Sequence, residues 1–462
     1  MAAPTPLLLL GPLLGTVLGG PSSSSAQASA APSVEVTLGV LLPGRNLSYP
    51  WAWPRVQPAL SLALEALQPQ LRPLGLDVRT AFASTEDHGG ACDYTTSLLK
   101  AADLKISRDP DVLLGLGCFH TVEHLVKHWR LPLLRAGLFQ IEIDPTTTVY
   151  AGPSHPAPEL SGFPGQLFRR FNWTSRAVLL ASPQNDYGEH FPFGLVFQQH
   201  IPGAANVTVS VHQYDGQPEK AVRFIQTKGR VVCIWGPLEM LQEIMSLAQA
   251  QDMTRGDYVF FYLDIWGKSM RAEGHREAAK PWQSKESQDS GGLREAFQTV
   301  LVITSHEPQT PEYRRFQSQL FLRAQKDFGV AVNDSAGTLV AGCFHDVLLL
   351  YLKALNETLQ EGGTKRNTSR ILEKMRGQKF QGVTGTVNIN NYNYREMDFD
   401  LWAMRDVESG EYQVVAHYVG ADKQIEWLGP VRWKKGSPPL DNPPCVFDMD
   451  DPSCGKSGGF PG

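Results

Sequence analysis

The residues best suited to chemistry in this sequence are those of His120-Thr-Val-Glu-His124, with His128 one helical turn further on. Two histidines four residues apart share a helix face, and a glutamate beside them can act as general base to a zinc-bound water. Such a set would serve a metal-dependent hydrolase. Against that reading, no downstream helix offers a clear further ligand, and short motifs of this kind often match by chance. A solvated helix face, or a pH-sensitive or adventitious metal-binding face, accounts for the same residues. No other catalytic set stands out: the sequence has no G-x-S-x-G elbow, no Walker loop and no cyclase metal-binding segment. Gly115-Leu-Gly117 is too short for a dinucleotide fingerprint. The chain reads as a binding protein, with no catalytic residues assigned.

The elements that must position any site are legible from hydropathy. Val34–Leu42 is aliphatic almost without a break, as expected of a parallel strand covered on both faces. Pro43-Gly44 ends it, and from Pro54 the residues Val56, Ala59, Leu60, Ala63, Leu64 and Leu67 recur at helical spacing. Further strands are predicted at Asp111–Cys118, Arg130–Ala136, Ala177–Ala181, Val207–Tyr214, Arg230–Trp235, Tyr258–Ile265 and Val300–Thr304. Helices are predicted at Leu160–Phe171, Pro218–Thr227, Leu238–Gln251 and Pro311–Phe328. This alternation predicts βαβ units with a mostly parallel sheet, and 462 residues are enough for two lobes. Gly382–Ile389, Phe399–Arg405 and Tyr412–Tyr418 are separated by turns and read as antiparallel strands. Arg271–Gly292 reads as a polar surface loop, and the Pro- and Gly-rich tail from Gly436 as a stalk.

Composition sets the compartment and excludes one partner class. A net charge of −5 leaves no basic surplus to neutralise phosphates, which argues against nucleic acid. Leu7–Leu18 forms a leucine-rich segment followed by small-residue cleavage sites at Ala26-Gln-Ala28 and Ala28-Ser-Ala30, so residues 1–30 read as a signal peptide. No apolar run of about 18 residues follows it, and no bilayer span is expected. Sequons at Asn46, Asn172, Asn206, Asn333, Asn356 and Asn367 support glycosylation on a secretory route. Six cysteines fit an oxidising compartment. Cys92 with Cys118 would close one modest loop and Cys445 with Cys454 a small one. Cys233 and Cys343, in apolar surroundings, either pair or remain thiols, and spacing alone leaves the connectivity open.

Several runs resemble the extracellular ligand-binding domain of the natriuretic peptide receptors. They include Asn46-Leu-Ser-Tyr-Pro-Trp-Ala-Trp53, Asp103-Leu-Lys105, Leu114-Gly-Leu-Gly-Cys118, His128-Trp-Arg-Leu-Pro-Leu-Leu134 and Asp257-Tyr-Val-Phe-Phe-Tyr-Leu-Asp264. Arg294-Glu-Ala-Phe-Gln-Thr-Val-Leu-Val-Ile-Thr304, Phe380-Gln-Gly-Val-Thr-Gly385 and Asp398-Phe-Asp-Leu-Trp-Ala-Met404 extend the likeness. Asp441-Asn-Pro-Pro-Cys445 and Asp451-Pro-Ser-Cys454 look like the family's juxtamembrane disulfide loop. Gly236-Pro-Leu-Glu-Met-Leu241 and Ala341-Gly-Cys343 are most like its B-type, guanylyl-cyclase-coupled branch. The resemblance implies an α/β, type-I periplasmic-binding-protein-like fold, with two Rossmann-like lobes joined by three crossings. It places the ligand-binding region at 33–435, with a distal lobe near 33–150 and 306–370 and a proximal lobe near 151–305 and 371–435. Residues 436–462 would form the juxtamembrane stalk.

The resemblance further implies an extracellular or cell-surface homodimer that holds one cyclic peptide hormone and controls an intracellular guanylate cyclase. Membrane attachment and cyclase are expected in segments outside this sequence. Thr85, Gly117 and Cys118 match the positions of the family's buried chloride, and a hydroxyl with backbone N–H groups suits an anion. No other cofactor is implied. Among hormone contacts, Tyr214 sits at an aromatic contact position and Phe193 matches one of two adjacent phenylalanines, with Pro192 replacing the other. His120 stands where the family has tyrosine. His212 falls one residue late, which in a strand reverses its face unless a bulge intervenes. Such departures, with Ser182-Pro183 in place of tyrosines, motivate two alternatives of the same fold: a binding module for another ligand, or a soluble decoy. The zinc hydrolase is the remote alternative.

Overall fold

The computed structural model describes residues 34–71, 75–115, 122–136, 144–152, 157–182, 207–270, 280–283, 291–332 and 335–447. In the first lobe, β1 (Val34–Leu42), β2 (Leu76–Ser84), β3 (Val112–Gly115), β4 (Leu133–Arg135) and β5 (Thr148–Tyr150) form a parallel sheet in the order β2-β1-β3-β4-β5. Alternating side chains feed two cores. Val36, Val40, Leu42 and Leu114 pack with the helices Trp53–Leu71 and Ser335–Gln360. Leu41, Leu113 and Leu133 pack with Ala101, Leu104, Val122 and Val126 of the helices Tyr94–Arg108 and Val122–Trp129. Coverage on both faces explains why β1 is buried without a break from Leu38 to Leu42, while Glu35 near its start is exposed.

The second sheet begins with β6 (Arg176–Ala181), β7 (Thr208–Gln213), β8 (Val231–Trp235), β9 (Val259–Leu263) and β10 (Val300–Ser305), parallel in the order β7-β6-β8-β9-β10. The chain then returns to the first lobe with the helices Pro311–Phe328, Ser335–Gln360 and Thr368–Met375 and a hairpin of β11 (Lys379–Gly382) and β12 (Gly385–Asn388). Finally β13 (Phe399–Met404), β14 (Tyr412–Val419) and β15 (Gln424–Trp427) extend the second sheet beyond β10 by antiparallel pairing.

Among the described residues the chain passes between lobes after Tyr150, after Ser305 and after Ile389. Backbone hydrogen bonds tie these passages together: Tyr150 N–H to Asn393 O at 2.9 Å, Arg395 N–H to Tyr150 O at 2.8 Å and His306 N–H to Asp398 O at 2.9 Å. The third passage falls later than the 370/371 boundary expected from the sequence, because Ile371, Leu372, Met375, Val387 and Ile389 all belong to the first-lobe core. Gly382–Ile389, expected as one strand, straddles the turn of the β11–β12 hairpin.

Among the elements not expected from the sequence, β2 and the helix Ser335–Gln360 escape it for opposite reasons. The strand β2 is a half-wet edge strand without the aliphatic run that marks β1. The helix Ser335–Gln360 is apolar along most of its length, and its Ala336–Gln360 stretch is long and apolar enough to cross a membrane, with mean hydropathy 1.5. That corrects the expectation of no such run. Its Val340, Phe344, Val347, Leu348, Tyr351 and Leu355 are buried in the first lobe, so it is a core helix here. The tail also departs from a free stalk at its start. Trp173 Nε1 donates to Pro439 O at 2.7 Å, and the Asp441 carboxylate accepts from the N–H groups of Ser175 and Arg176 at 2.6 and 3.2 Å.

The hairpin is fixed to the first lobe by a buried polar network. Asp346, fully buried on the long helix, accepts from the N–H groups of Val383 and Thr384 at 2.9 and 3.1 Å and from the Thr384 hydroxyl. Arg395 on the third crossing donates to Thr384 Oγ1 at 2.6 Å and Thr384 O at 3.1 Å. Burial pushes the Asp346 carboxyl pKa up, but the His345 hydrogen bond and charge, the Arg395 charge and the Thr384 hydroxyl outweigh it and hold it below the usual range. Because the folded-state pKa is depressed, this stabilisation is complete above the ordinary aspartate range and is lost as pH falls through the lower folded value. Asp346→Asn is expected to lower stability by about 3–5 kcal/mol in urea unfolding at neutral pH, and to flatten the acid limb of the stability profile. At Gly382 an added Cβ would lie 2.3 Å from Asp346 Oδ2. Gly382→Ala should therefore cost about 1–3 kcal/mol in the same assay through overpacking.

Candidate functional site

Loops at the carboxyl ends of the first sheet's strands are where an open α/β sheet presents ligands. The run from Asn46 to Trp53 builds this edge after β1. The N–H groups of Arg45 and Asn46 donate to Glu86 Oε1 at 2.8 and 2.6 Å, and Asn46 Nδ2 donates to Gly90 O at 2.9 Å. Cys92 N–H donates to the Tyr49 hydroxyl at 3.1 Å. Trp53 stacks on Phe82 at 4.5 Å, while Trp51, fully buried, meets Trp266 of the second lobe at 6.0 Å. The motif therefore locks the 86–92 turn and reaches across the lobes. Thr85 sits here, fully buried, with its N–H on Leu42 O at 3.1 Å and its hydroxyl 3.8 Å from Cys92 Sγ. Its expected neighbours Gly117 and Cys118 lie outside the described residues.

Cys92 and Cys445 are both disulfide-bonded, and their expected partners Cys118 and Cys454 lie outside the described residues. Cys233 and Cys343 are free and buried, which resolves the open choice in favour of thiols. Burial pushes each of those thiol pKa values up to about 12, so neither is a nucleophile.

The histidine motif loses its catalytic reading. Glu123, on the helix Val122–Trp129, turns inward and pairs with Arg135 of β4; their side chains are 13% and 2% exposed. A glutamate committed to a buried guanidinium is not poised to activate water. His124 and His128 are exposed on the outer side of that helix, and His120 lies outside the described residues.

On the edge strand β7, His212 and Tyr214 share a face by the two-residue period. The β6–β7 register runs unbroken from Arg176↔Thr208 to Ala181↔Gln213, so no bulge offsets the one-residue shift of His212. The His212 ring packs on Phe224 at 5.0 Å, and the Tyr214 hydroxyl donates to Glu243 Oε2 at 2.9 Å. Burial, reinforced by Glu243, raises the Tyr214 phenol pKa. Both side chains thus lie against the helices Pro218–Lys228 and Leu238–Ala250. Phe193 lies outside the described residues.

A third constellation had not been singled out. His306, on the second crossing, and His417 of β14 both hydrogen-bond the carboxylate of Asp400 on β13, through Nδ1 at 3.1 and 2.8 Å. The signal was present in Asp398-Phe-Asp-Leu-Trp-Ala-Met404, where Asp400 is a charge within an otherwise apolar strand.

The family described as receptor family ligand binding region matches residues 55–406. This chain belongs to that family. It is 50% identical over 435 residues to atrial natriuretic peptide receptor 2 of Mus musculus, covering 91% of this chain and 41% of that protein. It is 27% identical to atrial natriuretic peptide receptor 3 of Mus musculus, covering 96% of this chain and 83% of that protein. The likeness to natriuretic peptide receptors read from the sequence is borne out. The chain spans about two fifths of the length of the receptor 2 relatives it matches. Among solved structures, a branched-chain amino acid transporter's periplasmic ligand-binding protein from Burkholderia xenovorans superposes with TM-score 0.56 at 15% identity, covering 84% of this chain and 96% of that one. A leucine-binding protein from Thermotoga maritima gives 0.52 at 14% identity, covering 84% and 100%. These likenesses carry the fold alone: the two-lobed, type-I periplasmic-binding-protein architecture expected from the sequence.

The Glu123–Arg135 pair and the exposed histidines respond differently to substitution. Glu123→Ala leaves a buried guanidinium without its carboxylate and should cost about 3–5 kcal/mol. His124→Ala, at the surface, should stay within about 0.5 kcal/mol. Equilibrium urea unfolding of the two variants checks both.

Proposed function

We propose that this chain is the extracellular ligand-binding region of a natriuretic peptide receptor. Two copies would hold one cyclic peptide hormone and so control a guanylate cyclase carried elsewhere in a longer protein. The observation that carries this reading is the 50% identity to atrial natriuretic peptide receptor 2 over 91% of the chain. The chain's own residues support a binding role: a two-lobed scaffold, buried unreactive thiols, and a histidine motif whose glutamate is occupied. The hormone surface in this proposal includes His120, Phe193 and Tyr214; His212, expected there only if a bulge intervened, packs on Phe224 in an unbroken register and is left out of it. Tyr214 contributes at the end of the edge strand β7, where its hydrogen bond to Glu243 sets the position of that edge.

Two features accompany the proposal. A chloride would be held by the Thr85 hydroxyl with the N–H groups of Gly117 and Cys118, and the burial of Thr85 beside a disulfide-bonded cysteine fits a small desolvated anion. N-linked glycans would be carried on Asn46, Asn172 and Asn367, which stand on loops or an exposed helix start. Asn356 is half-buried, and the Thr358 of its sequon is fully buried and donates to Ala354 O. Asn206 and Asn333 lie outside the described residues. Secretion or cell-surface display follows from the same reading.

The test is binding of atrial, B-type and C-type natriuretic peptides to the purified glycosylated chain by calorimetry, with sedimentation to count copies. Saturable binding of at least one peptide below about 1 µM, or roughly −8 kcal/mol, is expected at one peptide per two chains. Absence of saturable binding at tens of micromolar overturns the reading. Binding at one peptide per monomer would overturn its dimeric part.

A further inference from the structure

We propose that His306, Asp400 and His417 form a zinc-binding site at the root of the second interlobe crossing. The argument starts from backbone register. Across the second sheet Thr304 stands opposite Asp400, Asp400 opposite His417, and His417 opposite Glu426. Cross-strand partners present their side chains on one face, and His306 lies two residues beyond Thr304, on the same side. Three strands thus place Asp400, His417 and Glu426 in one row, and His306 stands just past the end of β10 on the same side. The backbone bond from His306 N–H to Asp398 O holds the crossing against β13 at that point.

The side chains converge. One ligand atom from each of His306, Asp400 and His417 lies within 4.8 Å of the others, and the two rings are 4.2 Å apart by centroid. Ligands around a tetrahedral zinc with bonds of about 2.0–2.1 Å sit roughly 3.3 Å from one another. The observed nitrogen–oxygen separations of 2.8 and 3.1 Å need to open by only a few tenths of an ångström. Asp400 and His417 side chains are 10% and 18% exposed, so the donors are shielded but not sealed. A cavity of about 590 Å³ lined by His306, Asp400, His417 and Glu426 gives an ion a path in. Water can complete the shell.

The donor set selects the metal. Two imidazole nitrogens with one carboxylate oxygen suit zinc and its transition-metal neighbours, whereas calcium and magnesium take oxygen ligands. A bound ion would link His306 on the crossing to β13 and β14 of the second lobe, and so fix the angle at which the crossing leaves that lobe. The competing account of the same residues is a hydrogen-bonded His–Asp–His triad that binds no metal. This proposal stands apart from the hormone-binding reading and fails or survives independently of it.

The experiment uses the whole glycosylated chain without a histidine tag, stripped with chelator and titrated with zinc by calorimetry, with cobalt absorption as a spectroscopic signature. One equivalent of zinc, a tetrahedral cobalt spectrum and a higher thermal midpoint in zinc are expected. Asp400→Asn and His417→Gln should each weaken zinc at least about tenfold, the lower limit that even outer-shell changes produce. His306→Gln, outside the strands, should do the same and covers the case in which a strand variant misfolds; circular dichroism verifies folding in each. A double His124→Ala, His128→Ala variant should bind zinc as the unaltered chain does. The proposal is overturned if the unaltered chain takes up no stoichiometric zinc. It is also overturned if zinc binding survives in folded His306→Gln, or is lost in the His124/His128 variant.

Discussion

The carboxylate of Asp346 is the interaction on which the junction of the two lobes depends. A charge inside the first-lobe core is costly unless every lone pair finds a partner and a counter-charge lies close. Here the backbone of Val383 and Thr384, the Thr384 hydroxyl and the His345 ring supply the partners, and Arg395 supplies the charge. Arg395 also donates its backbone N–H to Tyr150 O, so one residue connects the buried carboxylate to the first and third crossings at once. A network of this kind is satisfied in one arrangement only, and that fixes where the chain leaves the first lobe.

The second crossing is secured differently. Trp266, leaving β9, reaches the first-lobe core through Trp51, and His306 is held against β13 by a backbone bond. Apolar contact on one side and polar pairing on the other leave the lobes related by narrow passages, an arrangement compatible with small changes of interlobe angle in a binding protein. The side chains that gather at this second passage are two imidazoles sharing one carboxylate beside an open cavity, whereas Arg395 at the third is part of the buried Asp346 network.

Much of the scaffold was legible from sequence because burial on both faces of a parallel sheet demands aliphatic runs. Val34–Leu42, Val231–Trp235 and Val259–Leu263 declared themselves in this way. Where that demand is relaxed the signal faded. The edge strand β2 carries Asp77, Arg79 and Thr80 toward water, and the long helix Ser335–Gln360 is buried on nearly every side from Ala336 to Leu352, which blurs helical periodicity. The hairpin of β11 and β12 looked like one strand because its turn, Val383-Thr384, is held by a carboxylate nearly forty residues earlier in the chain.

By itself the sequence determined the family and the two-lobed α/β architecture, because both rest on local patterns. Only the tertiary structure decided what the polar residues do. It turned Glu123 from a candidate base into the partner of Arg135, left Cys233 and Cys343 as buried thiols, and brought His306 beside Asp400 across 94 residues of chain. The physical reason is that hydropathy acts along the chain at fixed periods, whereas ion pairs and ligand sets form between residues that meet only when sheets set their register.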